Sequence, residues 1–66
     1  MNIDLKNKKN FNKAIKILYK EMGSYYFDVG LDAGGEFYID YEFERHAEVH
    51  NLLSKNKIKY SATYEE

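Results

Sequence analysis

The side chains that could do chemistry fall in two places. HAEVH, residues 46–50, sets His46 and His50 one helical turn apart, a spacing that can grip a divalent metal. Glu48 stands two residues after the first histidine, so this is not the H-E-x-x-H pattern of a zinc protease. Two ligands are too few for a stable zinc site. By angle the pair borders an apolar stripe, so a boundary role without metal is expected. The second place is YYFDVGLDAGGEFYIDYEFE, residues 25–44, where carboxylates and tyrosines interleave with apolar residues. Asp28 and Asp40 could share Ca²⁺ or Mg²⁺, but a flat surface rarely offers the six or so oxygens that Ca²⁺ takes. The same carboxylates could serve as acid and base only in a cleft that shifts their pKa values, and an exposed face has none. Ser24, Ser54 and Ser61 lie in no nucleophile motif, and cysteine is absent. DAGGE lacks the lysine and the following helix of a phosphate-cradling loop. The expectation is no enzyme, no cofactor and no metal.

The elements that would position these residues follow from periodicity. Phe11, Ala14, Ile15, Leu18 and Met22 recur at three- and four-residue steps, one stripe of a helix that Gly23 ends. Asp4, Asn7 and Asn10 are each competent to cap its start. Lys9, Lys13, Lys16 and Lys20 fall on its other side. A hairpin comes next. Tyr25, Phe27, Val29 and Leu31, then Phe37, Ile39, Tyr41 and Phe43, make a buried face with period two. Its other face carries Tyr26, Asp28, Asp32, Glu36, Tyr38, Asp40, Glu42 and Glu44.

The loop length follows from parity. Apolar residues are odd-numbered in both strands, so facing residues must sum to an even number. A two-residue loop would mix the faces; Ala33-Gly34-Gly35 keeps them apart, with Gly35 left-handed. Leu31 then faces Phe37, Val29 faces Ile39, and Phe27 faces Tyr41. Gly30 lies under Tyr38, where a ring can cover a glycine. Asp28 opposes Asp40, Asp32 opposes Glu36, and Tyr26 opposes Glu42. A second helix is read from about Arg45 to Lys55, burying Val49, Leu52 and Leu53, with Asn56 ending it in a left-handed turn. KIKYSATY alternates again, with Ile58, Tyr60, Ala62 and Tyr64 on one side, and reads as a third strand. The fold expected is α+β, in the order α-β-β-α-β. A three-stranded antiparallel sheet, ordered 2-1-3 through a right-handed crossover, carries both helices on one face.

Composition bounds the rest. Sixty-six residues make one domain, 1–66, whose core must come from packing, with eleven aromatics as its material. No apolar run approaches the ~18 residues of a membrane span. With no apolar signal region and no cysteine, a cytoplasmic location is expected. The net charge of −1 conceals segregation. Residues 1–23 hold six lysines against Asp4 and Glu21, a balance of +4; residues 24–50 hold seven acids against Arg45, a balance of −6. Residues 51–66 balance at +1. Such asymmetry marks a charged interaction surface.

With both helices on the apolar face, the other sheet face stays open. Opposed acids repel, and solvated charge alone could account for them. Tyr26 and Tyr38 among them favour a docking surface, since exposed aromatics are enriched at binding hot spots. A very small cysteine-free chain with an acidic, tyrosine-rich hairpin such as FYIDYEFE resembles the phage-encoded inhibitors of host defence. Those include anti-CRISPR proteins and anti-restriction nucleic-acid mimics. The resemblance implies a stoichiometric inhibitor that occupies the nucleic-acid channel of a nuclease or effector complex, without itself binding nucleic acid or membrane. The lysine-rich helix departs from wholly acidic mimics, so the resemblance implies a one-faced version. Two other readings remain open. One is a nucleic-acid-binding accessory protein using Lys6, Lys8, Lys9, Lys13, Lys16 and Lys20. The other is an antitoxin or immunity protein. An open edge on the third strand would admit a homodimer.

Overall fold

The computed structural model describes residues 1–63; Tyr64, assigned above to the third strand, lies outside the described residues together with Glu65 and Glu66. The elements are β1 (Asn2–Leu5), α1 (Lys8–Met22), β2 (Asp28–Leu31), β3 (Phe37–Asp40), α2 (His46–Lys55) and β4 (Ser61–Thr63). Short 3₁₀ turns, Ser24–Tyr26 and Phe43–Arg45, precede β2 and α2.

The α+β class holds, but the sheet has four strands, in the order β2-β3-β1-β4. The expected three-stranded 2-1-3 order is corrected by β1. NIDL places Ile3 and Leu5 on one face and Asn2 and Asp4 on the other, and it pairs antiparallel with both β3 and β4. The tail strand therefore lies beside the N-terminal strand and not beside β2. Two strands antiparallel to a common neighbour are parallel to each other. Thus α1 carries the chain from β1 to parallel β2 past β3, and α2 carries it from β3 to parallel β4 past β1. This is the split βαβ, or ferredoxin-like, arrangement.

Both helices bury their stripes on the odd-numbered face. Ile3, Leu5 and Ile39 of the sheet meet Phe11, Ala14 and Leu18 of α1 and Val49 and Leu53 of α2, with Tyr41 and Ile58 completing the core. Phe11 stacks on Phe37 with ring centroids 4.8 Å apart. Asn7 is the cap of α1, its side-chain oxygen accepting from the Asn10 N–H at 2.8 Å. Gly23, at φ +88°, ends the helix as expected. α2 begins one residue later than read, at His46. Its left-handed residue is Lys57, at φ 59°, and not Asn56. Lys57 N–H donates to Ser54 O and Ile58 N–H to Leu53 O, the paired bonds of a Schellman motif. Ile58 is thereby turned inward beside Leu53.

The hairpin is shorter than its alternation suggests, because the chain leaves the sheet at both ends of the pairing. Tyr25 and Phe43, assigned to the buried face, are 92% and 59% exposed in the 3₁₀ turns, and Leu31 is 60% exposed at the edge of the sheet. The loop and register are as derived: Leu31 pairs with Phe37, Val29 with Ile39, Gly30 with Tyr38 and Asp28 with Asp40. Gly35 N–H donates to Asp32 O, and Gly35 has φ +81°. Phe27 and Tyr41 meet edge to face at 5.9 Å, just beyond the ladder.

Candidate functional site: an acidic sheet face and an aromatic corner

The even-numbered face of the sheet carries no helix. Asn2, Asp4, Asp28, Gly30, Tyr38 and Asp40 project from it at paired positions, since Asn2 lies opposite Asp40 and Asp4 opposite Tyr38. A shallow groove of ≈ 290 Å³ on this face is lined by Asn2, Asp28, Asp32, Tyr38 and Asp40. Tyr38 holds the centre. A Cβ built on Gly30 would stand 2.9 Å from the Tyr38 hydroxyl oxygen and 3.0 Å from its ring, so the ring lies flat across the glycine. The face is thus a dish of carboxylates around one half-buried phenol.

The eight residues read as one surface divide into three groups. Asp28, Tyr38 and Asp40 lie on the open face. Asp32 and Glu36 lie at the hairpin loop, where the Asp32 carboxylate accepts from the N–H groups of Gly34 at 2.9 Å and Glu36 at 3.0 Å. Their opposition therefore also supplies turn bonds. Tyr26, Glu42 and Glu44 are not on the sheet face. The 3₁₀ turns carry them past the end of the sheet, where the Arg45 guanidinium lies 3.5 Å above the centre of the Tyr26 ring. Asn2 and Asp4 belong to the face and were missed. The period-two pattern of NIDL could have found them.

Charge on this face is only partly neutralised locally: the N-terminal ammonium of Met1 lies 3.7 Å from an Asp40 carboxylate oxygen, and among the described residues no carboxylate lies within 4.0 Å of a lysine or arginine nitrogen. Asp4, Asp32 and Glu36 bring carboxylate oxygens within 4.8 Å of one another, and one oxygen of Asp4 is buried without a hydrogen bond. This trio, and not Asp28 with Asp40, is the acidic cluster whose oxygens converge among the described residues, yet one ligand atom from each of three carboxylates falls short of the roughly six to eight oxygens Ca²⁺ takes. The lysines of α1 at 8, 9, 13, 16 and 20 are all exposed, on the layer opposite the open face.

His46 and His50 hold the end of α2 to its neighbours. The Tyr41 hydroxyl and His46 Nδ1 are 2.7 Å apart, and His50 Nδ1 hydrogen-bonds the Tyr60 hydroxyl. Burial, then the charge of His50 and of the N-terminal ammonium, hold the His46 imidazole below its ordinary pKa. Ser54 Oγ lies 3.4 Å from His50 Nε2. Both are exposed, so nothing excludes water from the pair. The boundary role fits these contacts.

Among the described residues no helix is long and apolar enough to cross a membrane. No family model, curated protein or solved structure matches this chain.

Proposed function

We propose that this protein is a stoichiometric inhibitor, of the kind phages direct at host defence, that docks its open sheet face on a basic nucleic-acid-binding surface of a nuclease or CRISPR effector complex. One observation carries the reading: Asp4, Asp28 and Asp40 flank Tyr38 on the helix-free side of the sheet, with Asp32 and Glu36 beside Asp4 at the hairpin loop, and among the described residues the N-terminal ammonium at Asp40 is their one ion-pair partner. Carboxylates spaced along neighbouring strands offer a partner's lysines and arginines what a phosphate backbone offers them. Complementary charge speeds encounter and rejects partners of the wrong sign. The half-buried Tyr38 ring supplies an anchor that can be desolvated.

The test uses Asp28 and Asp40, which have no part in the hairpin loop. Tagged protein is incubated with nuclease-treated host lysate, and the captured nuclease or effector complex is purified and assayed with and without the inhibitor. Capture and inhibition that are both lost in Asp28→Lys/Asp40→Lys support the reading. Capture of no protein from the treated lysate, with nucleic acid retained through the exposed lysines of α1 when nuclease is omitted, replaces it with the accessory-protein reading.

A further inference from the structure

Beyond the end of the sheet, Tyr25 and Tyr26 form a right-angled corner: their rings meet edge to face at 88°, with centroids 5.6 Å apart. Together with Met1, Asp28, Asp40 and Glu42 they line an open groove of ≈ 510 Å³, within the roughly 300–1,000 Å³ of ligand clefts. Tyr25 is 92% exposed, so its ring has almost no folding role. The three carboxylates are exposed; Asp40 is paired with the N-terminal ammonium, and Asp28 and Glu42 have no ion-pair partner among the described residues. Ring faces beside two unpaired carboxylates suit a cation that is also planar.

The molecule already contains one such contact. Arg45 sits in this acidic neighbourhood, yet its guanidinium lies on the face of Tyr26, 3.5 Å from the ring centre, and its Nε has no hydrogen-bond acceptor. Stacking on the phenol thus holds a guanidinium here without a carboxylate. Among the described residues no cation covers Tyr25. A phosphate or a nucleobase-bearing strand would meet three carboxylates against the single N-terminal ammonium in the same groove. A lysine ammonium would gain the charge but not the planar stacking and the forked N–H donors.

We infer that this corner is the socket for a single arginine side chain of the protein partner, stacked on Tyr25 with its N–H groups toward Asp28 and Glu42. The inference rests on the inhibitor reading for its partner, and it adds the residue the partner must present. Two carboxylates of the open face, Asp28 and Asp40, also border the socket, so a docked basic surface would reach both at once.

The experiment is an NMR titration of the whole protein at low salt with a capped tri-arginine peptide and, separately, a capped tri-lysine peptide. Tri-arginine is expected to move the ring signals of Tyr25 and Tyr26 and the amide of Asp28, and to bind more tightly than tri-lysine at equal ionic strength. Tyr25→Ala should weaken tri-arginine by about two- to fivefold, the range of an exposed cation–π contact, and leave tri-lysine nearly unchanged. Because Tyr25 is exposed, the variant keeps the fold, and its unperturbed Ile3 and Val49 methyl signals verify that. Shifts confined to Asp4, Asp32 and Tyr38 would overturn the socket while leaving the acidic-face reading in place. Equal binding of the two peptides, indifferent to Tyr25→Ala, would also overturn it. No shift anywhere would overturn both.

Discussion

Asp28 and Asp40 face each other directly across β2 and β3, both exposed; the N-terminal ammonium lies 3.7 Å from Asp40, and neither is bonded to a lysine or arginine among the described residues. Like charges at opposed positions destabilise a sheet, so folding alone would favour a different residue at one of them. Asp28→Lys turns the repulsion into attraction. Its expected effect is a gain of a few tenths to about 1 kcal/mol in denaturant unfolding, together with loss of partner binding. A variant that is more stable and still inhibits would remove the reason for keeping the acids.

The left-handed residue at the end of α2 is a lysine, at φ 59°. A side chain there crowds its own backbone, and glycine does not. Lys57→Gly should stabilise the domain by about 1 kcal/mol and raise its thermal midpoint, with no effect on binding. An unchanged midpoint would show that the turn is relaxed with lysine in place.

Strand β1 is the joint of the sheet, bonded on both sides and carrying the fully buried Ile3. Ile3→Ala should cost about 2–5 kcal/mol. A domain of this length has roughly 3–10 kcal/mol in total, so the variant should be largely unfolded near physiological temperature. Circular dichroism across a thermal scan reads the outcome; a loss below 1 kcal/mol would contradict a central β1.

The pH dependence follows from His46. Its pKa in the folded chain lies below the ordinary 6.5, chiefly through burial. The unfolded chain therefore takes up the proton first as pH falls. This contribution to stability is intact above pH 6.5 and is lost progressively as the pH descends through the lower folded value. His46→Gln should flatten stability over that window, measured by denaturant midpoints at a series of pH values.

Much of the hairpin was legible because parity is a strict constraint. Odd-numbered apolar residues on both strands force a three-residue loop, and with it Gly35 left-handed, Gly30 under Tyr38 and Asp28 against Asp40. The ends were not legible, because alternation continues in the sequence where pairing stops. Tyr41 still exchanges hydrogen bonds with Met1, but the chain must then leave the sheet to set α2 over the core. The turn at Phe43–Arg45 does this, as the turn at Ser24–Tyr26 does for the path from α1 to β2. Those two turns moved Tyr26, Glu42 and Glu44 off the face and exposed Tyr25. NIDL was overlooked because four alternating residues are a weak signal and Asp4 also reads as a helix cap. That strand changes the topology, and it adds Asn2 and Asp4 to the acidic face.

The most direct test of the central claim is the affinity of the wild-type protein and of Asp28→Lys/Asp40→Lys for the captured nuclease or effector complex, measured by calorimetry at two salt concentrations. The account predicts a one-to-one complex that weakens as salt rises, competes with the target's own nucleic acid, and is abolished by the double charge reversal while the domain stays folded. Binding that survives the reversal unchanged would contradict it.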